Sequence, residues 1–189
     1  MLYLCGVLSA FLLLPGVLAD TTSASFSNDA WLAAHNKYRN RHGVPPVIWS
    51  TPVAQDAQKW ALQMGSTLRH SNSYFLPPPA GPAGENLARG YSSAAAVCQA
   101  WYAESACCDV LPGCSRGSCA TGHFTAMIWK GVTHIGCAVG PRQVAVCRYW
   151  SGPTLSAATA NMQGAYVANV PAPLKTMQPG DSNNDTYGE

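Results

Sequence analysis

Trp31, His35 and Tyr38 fall at positions i, i+4 and i+7, so they share one face of a helix. Ser27 or Asn28 can cap that helix, which runs to about His42 and stops at Gly43. Gly43-Val44-Pro45-Pro46 is then a turn, and Val47-Ile48-Trp49 a short buried run. Val53, Ala57, Trp60, Ala61 and Met64 line the apolar face of a second helix. Thr51 caps it, Pro52 takes the first helical position and Gly65 ends it. A third helix, capped by Ser92 or Ser93, carries Val97, Trp101 and Glu104 on one stripe. A short helical segment follows at Gly122 to Trp129. Two strands, Thr133 to Val139 and Val144 to Trp150, then flank Gly140-Pro141-Arg142-Gln143. A three-residue loop at Pro141, Arg142 and Gln143 pairs 140 with 144 and, by the same register, 137 with 147. Directly opposed cysteines can be bridged at a non-hydrogen-bonded pair, so the register predicts Cys137–Cys147.

The connections have their own composition. His70 sits in a loop. Ser71 to Gly84 contains Pro77-Pro78-Pro79 and Gly81-Pro82, which makes it irregular or polyproline-like and places it on the surface. Cys107 to Cys119 is a loop in which Cys114 and Cys119 are near enough in sequence to close a small ring. Ser151 to Ala160 is a polar, small-residue insertion, and Asn161 to Tyr166 returns to structure. From Thr176 the chain is polar without an apolar pattern, as a disordered tail is. Asn184-Asp185-Thr186 in that tail is a glycosylation acceptor sequence.

Composition adds a compartment. Met1 to Ala19 has no charged side chain, contains Phe11-Leu12-Leu13-Leu14 and ends in Val17-Leu18-Ala19. It reads as a secretory signal peptide, with the mature chain starting near Asp20. No other stretch is apolar enough for a span, so a soluble, secreted, extracellular product is expected. Seven of the eight cysteines lie between Cys98 and Cys147, a disulfide framework suited to an oxidising compartment. Seven is odd, so one thiol is free, pairs between chains or is modified. No paired C-x-x-C units support a zinc finger. A net charge of +2 is too small for a nucleic-acid partner. The 189 residues divide into a signal at 1–19, a segment at 20–27, one domain at 28–175 and a tail at 176–189.

Only 11% of the residues are charged, so His70, Glu85, Glu104 and His123 stand out. Two neutral imidazoles, His70 and His123, can hold Zn²⁺ at about 2.0–2.1 Å each, with the carboxylates orienting them or bound water. Two protein ligands make a weak site, lost as the histidines protonate below about pH 6. Alternatively the four form a polar network that pins helices to loops. Ser71 follows His70 and Thr125 lies two residues past His123, but there is no G-x-S-x-G and no H-E-x-x-H.

Four stretches carry a family resemblance. They are His35-Asn36-Lys37-Tyr38-Arg39 with Val44-Pro45-Pro46-Val47-Ile48-Trp49, Gly84-Glu85-Asn86-Leu87-Ala88, Ala100-Trp101-Tyr102-Ala103-Glu104, and Gly122-His123-Phe124-Thr125-Ala126-Met127-Ile128-Trp129. Val146-Cys147-Arg148-Tyr149 matches a further signature loosely. The chain resembles the CAP superfamily of cysteine-rich secretory, antigen 5 and pathogenesis-related 1 proteins over roughly residues 28 to 171. It departs at Val132, where relatives have Ser, Thr or Asn, and in a longer proline-rich stretch before Gly84. The resemblance implies an α+β fold, a three-layer α-β-α sandwich with a small antiparallel sheet, stapled by disulfides. It also implies that His70, Glu85, Glu104 and His123 converge in one cleft. The function implied is a binding module for a lipid, a sterol or an extracellular protein partner. A zinc-assisted or Ser/His/Glu hydrolase and a non-catalytic defence scaffold are the alternatives.

Overall fold

The computed structural model describes residues 24–65, 67–109, 111–114, 119–153 and 159–174. The expected signal at Met1–Ala19, the 176–189 tail and the acceptor Asn184 lie outside them. Among the described residues, no helix is long and apolar enough to cross a membrane.

Helix α1 (Asn28–Arg41) starts at Ser27, whose hydroxyl accepts the N–H of Ala30 at 3.1 Å. It ends at His42, and Gly43 supplies the left-handed backbone (φ +62°) that turns the chain. Helix α2 (Thr51–Gln63) has Ser50 rather than Thr51 at its N-cap position, because Thr51 is already helical, and the Ser50 side chain makes no capping hydrogen bond. Helix α3 (Ala94–Ala103) starts at Ser93, which accepts the N–H of Ala96, and tightens into a 3₁₀ turn over Glu104–Cys107. Helix α4 (Gly122–Ile128) and a terminal turn α5 (Tyr166–Asn169) complete the helices described.

The sheet has the order β1-β3-β4-β2, from β1 (Ile48–Trp49), β2 (Ala83–Arg89), β3 (His134–Gly140) and β4 (Val144–Trp150). It is antiparallel except for β1, a two-residue edge strand parallel to β3. Pro141–Gln143 forms the hairpin loop, with Gly140 opposite Val144 and Cys137 opposite Cys147. The strands alternate cleanly. Ile135, Cys137, Ala145, Cys147 and Tyr149 face the largest core, shared with α1, α3 and α4. Leu87, Ala138, Val144 and Val146 face Ala57, Ala61 and Met64 of α2. Burial on both faces gives the three-layer α-β-α sandwich.

Two glycines set how closely α2 lies on the sheet. A Cβ on Gly136 would come within 2.2 Å of the Ala54 amide nitrogen, and one on Gly140 within 2.4 Å of the Ala61 carbonyl oxygen. Both obstacles are backbone and cannot rotate away.

Arg39 locks the other face. Its guanidinium is fully buried with no ion-pair partner among the described residues, and donates to the carbonyls of Pro45, Met127, Trp129 and Val132 at 2.8–3.0 Å. Loss of water lowers its pKa to about 10, which still leaves it charged at neutral pH. One side chain thereby ties α1 to the end of α4 and the turn that follows.

The disulfides correct one expectation. Cys137 and Cys147 are bridged across the hairpin with Cα atoms 4.1 Å apart. Cys114 and Cys119 do not pair. Cys108 is bridged to Cys114 and Cys107 to Cys119. The 3₁₀ turn after α3 sends the two consecutive cysteines in different directions, which sequence proximity ignores. Cys114 turns into the core on a left-handed backbone (φ +50°), held there as the Gly113 N–H meets the Val170 carbonyl at 2.7 Å, while Cys119 stays at the surface. The remaining described cysteine, Cys98, is a buried thiol 3.5 Å from His35 Nδ1, and burial pushes its pKa up.

The glycine contacts give a direct check. Gly136→Ala should destabilise the protein by about 3 kcal/mol or more by overpacking against α2, measured by urea unfolding against wild type. Gly90→Ala, where a Cβ meets nothing within 4 Å but φ is +82°, should cost only about 1–2 kcal/mol.

Candidate functional site

Successive residues of a strand point to opposite faces, and edge strand β2 uses this at Glu85 and Asn86. Glu85 points to the α2 side, opposite Arg148 of β4. Its Oε1 accepts from His70 Nδ1 at 3.0 Å and from the Ser71 N–H at 2.9 Å. Its Oε2 accepts from the Ser71 hydroxyl at 2.5 Å and from Arg148 Nε at 3.2 Å. Arg148 also donates to Asp56 and, at 3.0 Å, to Ser71 Oγ. A carboxylate only 2% exposed is thus met by four donors, which is what its burial requires.

Asn86 points to the other face. Its amide donates to the His123 carbonyl at 2.9 Å and to the Tyr149 hydroxyl at 3.0 Å. Tyr149 in turn donates to His35 Nε2 at 3.0 Å, and His35 Nδ1 donates to the Trp31 carbonyl at 2.8 Å. Burial lowers the His35 pKa to about 4, so this imidazole is neutral and fits both bonds. It is a core residue.

Glu104, at the 3₁₀ turn closing α3, bends inward. Its Oε1 accepts from His123 Nδ1 at 2.6 Å. Its Oε2 accepts from the N–H groups of His123 at 2.9 Å and Phe124 at 3.2 Å. It supplies the cap that Thr121 does not give to α4. The His123 ring lies flat on Trp101, with centroids 5.8 Å apart and planes 14° apart.

The two halves meet in a cleft of about 320 Å³, lined by His70, Tyr74, Glu85, Asn86, His123 and Asn161 among others. Glu104 stands behind His123 and does not line it. A carboxylate only accepts, so both imidazoles carry their proton on Nδ1 and present Nε2 as a bare acceptor. Neither Nε2 has a partner among the described residues. The hydrogen bond to Glu85 raises the His70 pKa, against partial desolvation.

Donor chemistry fits a metal at this cleft, since a carboxylate on Nδ1 fixes the tautomer in which Nε2 binds metal. It does not fit at the one close grouping of three His, Cys, Asp or Glu ligand atoms among the described residues. His35, Cys137 and Cys147 place ligand atoms within 4.8 Å of one another, but both sulfurs are spent in the disulfide.

Several site residues were not singled out from sequence. Arg148 had one signal: it shares a strand face with Val144, Val146 and Trp150, where an arginine is out of pattern. Asp56 had none. Asn161 reaches the cleft on a left-handed backbone (φ +64°), accepts from Thr125 Oγ1 at 2.7 Å and donates to the Gly122 carbonyl at 2.9 Å. Tyr74 also lines the cleft, its hydroxyl donating to the carbonyl of Ala160 beside Asn161 at 3.0 Å.

Comparison with known proteins points one way. The model of the cysteine-rich secretory protein family matches residues 32–150. Pathogenesis-related protein 1 of Arabidopsis thaliana is 30% identical over 166 residues, 87% of this chain and 94% of its own length. Secreted protein RBT4 of Candida albicans is 45% identical over 109 residues, 57% of this chain. Repressed by EFG1 protein 1, from the same organism, is 34% identical over 161 residues, 82% of this chain. The chain spans 28% of the former's length and 57% of the latter's. Among solved structures, venom allergen-like protein 4 of Schistosoma mansoni shares the fold, with a TM-score of 0.53 and 20% identity over 67% of this chain and 89% of that one.

The His70–Glu85 pair predicts a titration. In a pH series of NMR spectra, His70 should titrate above the ordinary 6.5, and Glu85→Gln should bring it back toward that value. A wild-type His70 titrating at or below 6.5 would contradict the pairing.

Proposed function

The chain belongs to the cysteine-rich secretory protein family, and on that premise we propose that it is an exported binding module whose His70/His123 cleft takes a divalent cation such as Zn²⁺. The observation that carries this reading is the pair of bare Nε2 atoms. Each is oriented by a carboxylate on its own Nδ1, and both histidines line one cleft. His70 and His123 would hold the ion, Glu85 and Glu104 would fix the rings, and solvent or a ligand would complete the shell. When bound, the ion supplies a positive charge and open coordination positions. Two protein ligands make a weak site, so binding is modest.

The ligand class is a lipid, a sterol or a partner's surface. Tyr74 lines the cleft and is 45% exposed, and Phe75 next to it is 86% exposed, so an aromatic edge borders the polar site. Export rests on the uncharged apolar run before Asp20 and on the three disulfides.

Hydrolysis is the less favoured reading because the nearby hydroxyls are committed elsewhere. Ser71 Oγ donates to Glu85 and accepts from Arg148. Thr125 Oγ1 is within bonding distance of Asn161 Oδ1 and the Gly122 carbonyl. Neither hydroxyl meets a histidine that could take its proton, as nucleophilic catalysis requires.

Calorimetric titration with Zn²⁺ at about pH 7.4 should show one saturable site in wild type and none in His70→Ala/His123→Ala. Zinc competes with the proton for His70, whose pKa is raised, so affinity should begin to fall already above pH 6.5 as the solution is acidified. Absence of saturable binding in wild type would overturn the metal reading. Saturable binding that survives the double substitution would place the ion elsewhere.

A further inference from the structure

A second cavity, of about 300 Å³, lies between α2 and the loop that follows His70. Nothing in the zinc reading uses it, yet it is built from buried polar groups with capacity to spare. Arg148 lines it while its side chain is only 2% exposed. Three of its N–H groups are engaged, by Glu85, Asp56 and Ser71. A guanidinium has five, so two remain. Ser73 lines the same cavity, is 1% exposed, and its hydroxyl has no hydrogen-bond partner. A buried polar atom left unpaired costs about 1–3 kcal/mol. An unpaired buried hydroxyl beside a guanidinium with N–H groups to spare points to a partner that arrives from solution.

The chemistry of the wall narrows what that partner is. Arg148, the buried cation of the wall, is already matched by Asp56 and Glu85, and Lys59 is exposed to water, so an anion gains little by entering. Lys59 and Arg148 donate, Asp56 accepts, and Gln63 and Asn72 do both. Trp60 and Leu76 add an apolar strip. The indole is fixed in place, its N–H donating to the Arg69 carbonyl at 3.0 Å while the Arg69 guanidinium sits 5.1 Å from the ring centroid. Closely set donors and acceptors beside a fixed apolar strip suit a ligand with vicinal hydroxyls and C–H faces. The volume is at the lower end for small-ligand sites and has room for a mono- or disaccharide. We propose that this cavity is a saccharide-binding site for a neutral mono- or disaccharide, distinct from the His70/His123 cleft.

The test is an NMR titration of the full ¹⁵N-labelled chain with cellobiose, laminaribiose, mannobiose and N,N′-diacetylchitobiose, each to about 20 mM. Inorganic phosphate and acetate form separate arms. At least one disaccharide should move the side-chain amides of Gln63 and Asn72 and the Trp60 indole signal saturably. Phosphate and acetate should move none of them. Gln63→Ala/Asn72→Ala removes two exposed side chains from the rim and should weaken sugar binding about tenfold or more, with an unchanged thermal unfolding midpoint. The proposal is overturned if no disaccharide shifts these signals, if the Trp60 indole signal titrates with the same affinity in the double variant, or if only phosphate or acetate binds.

Discussion

A strand alternates its side chains, so Glu85 and Asn86 leave β2 in opposite directions, and the site depends on that divergence. Because β2 is the edge of the sheet, groups from both faces can come together around it. Glu85 gathers His70 and Ser71 from the α2 side. Asn86 gathers the His123 carbonyl from the α4 side. Gly84 just before them has no side chain to spare room for, since a Cβ there would lie 2.7 Å from the Ala160 Cβ in the segment that carries Asn161. A one-residue slip of β2 would put the carboxylate in the α4 layer and the amide against Arg148, and both halves of the cleft would fail together.

The histidines are held from behind as well as from the strand. Asn86 leads through Tyr149 and His35 to the Trp31 carbonyl, a buried chain in which every donor has an acceptor. Glu104 both orients His123 and caps α4, so moving that carboxylate would loosen a helix end and an imidazole at once. Arg39 fixes the far end of α4 through carbonyl oxygens. Rings positioned this way lose little freedom on taking a ligand, which favours binding by preorganisation. On the proposed zinc reading, the same rigidity is what lets two protein ligands suffice for a modest site.

Much of this was legible in the sequence, for identifiable reasons. The apolar faces of α1 and α2 follow a 3.6-residue period that Trp31, Tyr38, Val53, Ala57 and Ala61 keep in the structure. The hairpin register followed from loop length alone, because a three-residue loop leaves one pairing that sets Cys137 against Cys147. Contacts set by three-dimensional placement were not readable. The Cys107–Cys119 and Cys108–Cys114 pairing depends on a 3₁₀ turn that propensity does not reveal. The parallel pairing of β1 with β3 joins residues far apart in sequence, as does the contact of Arg148 with Asp56. Glu104 could have turned into water at the end of its helix, and only the position of α4 decides that it does not.

Both carboxylates hold their histidines by Nδ1 and leave Nε2 without a partner among the described residues. Long-range ¹H–¹⁵N correlation spectra of the imidazoles at about pH 8, above the titration of an imidazole, read this directly. His70 and His123 should both be in the Nδ1–H tautomer, with an unprotonated Nε2 that shifts when Zn²⁺ is added. A proton on Nε2 of either ring, or a zinc-induced shift confined to Nδ1, would contradict it.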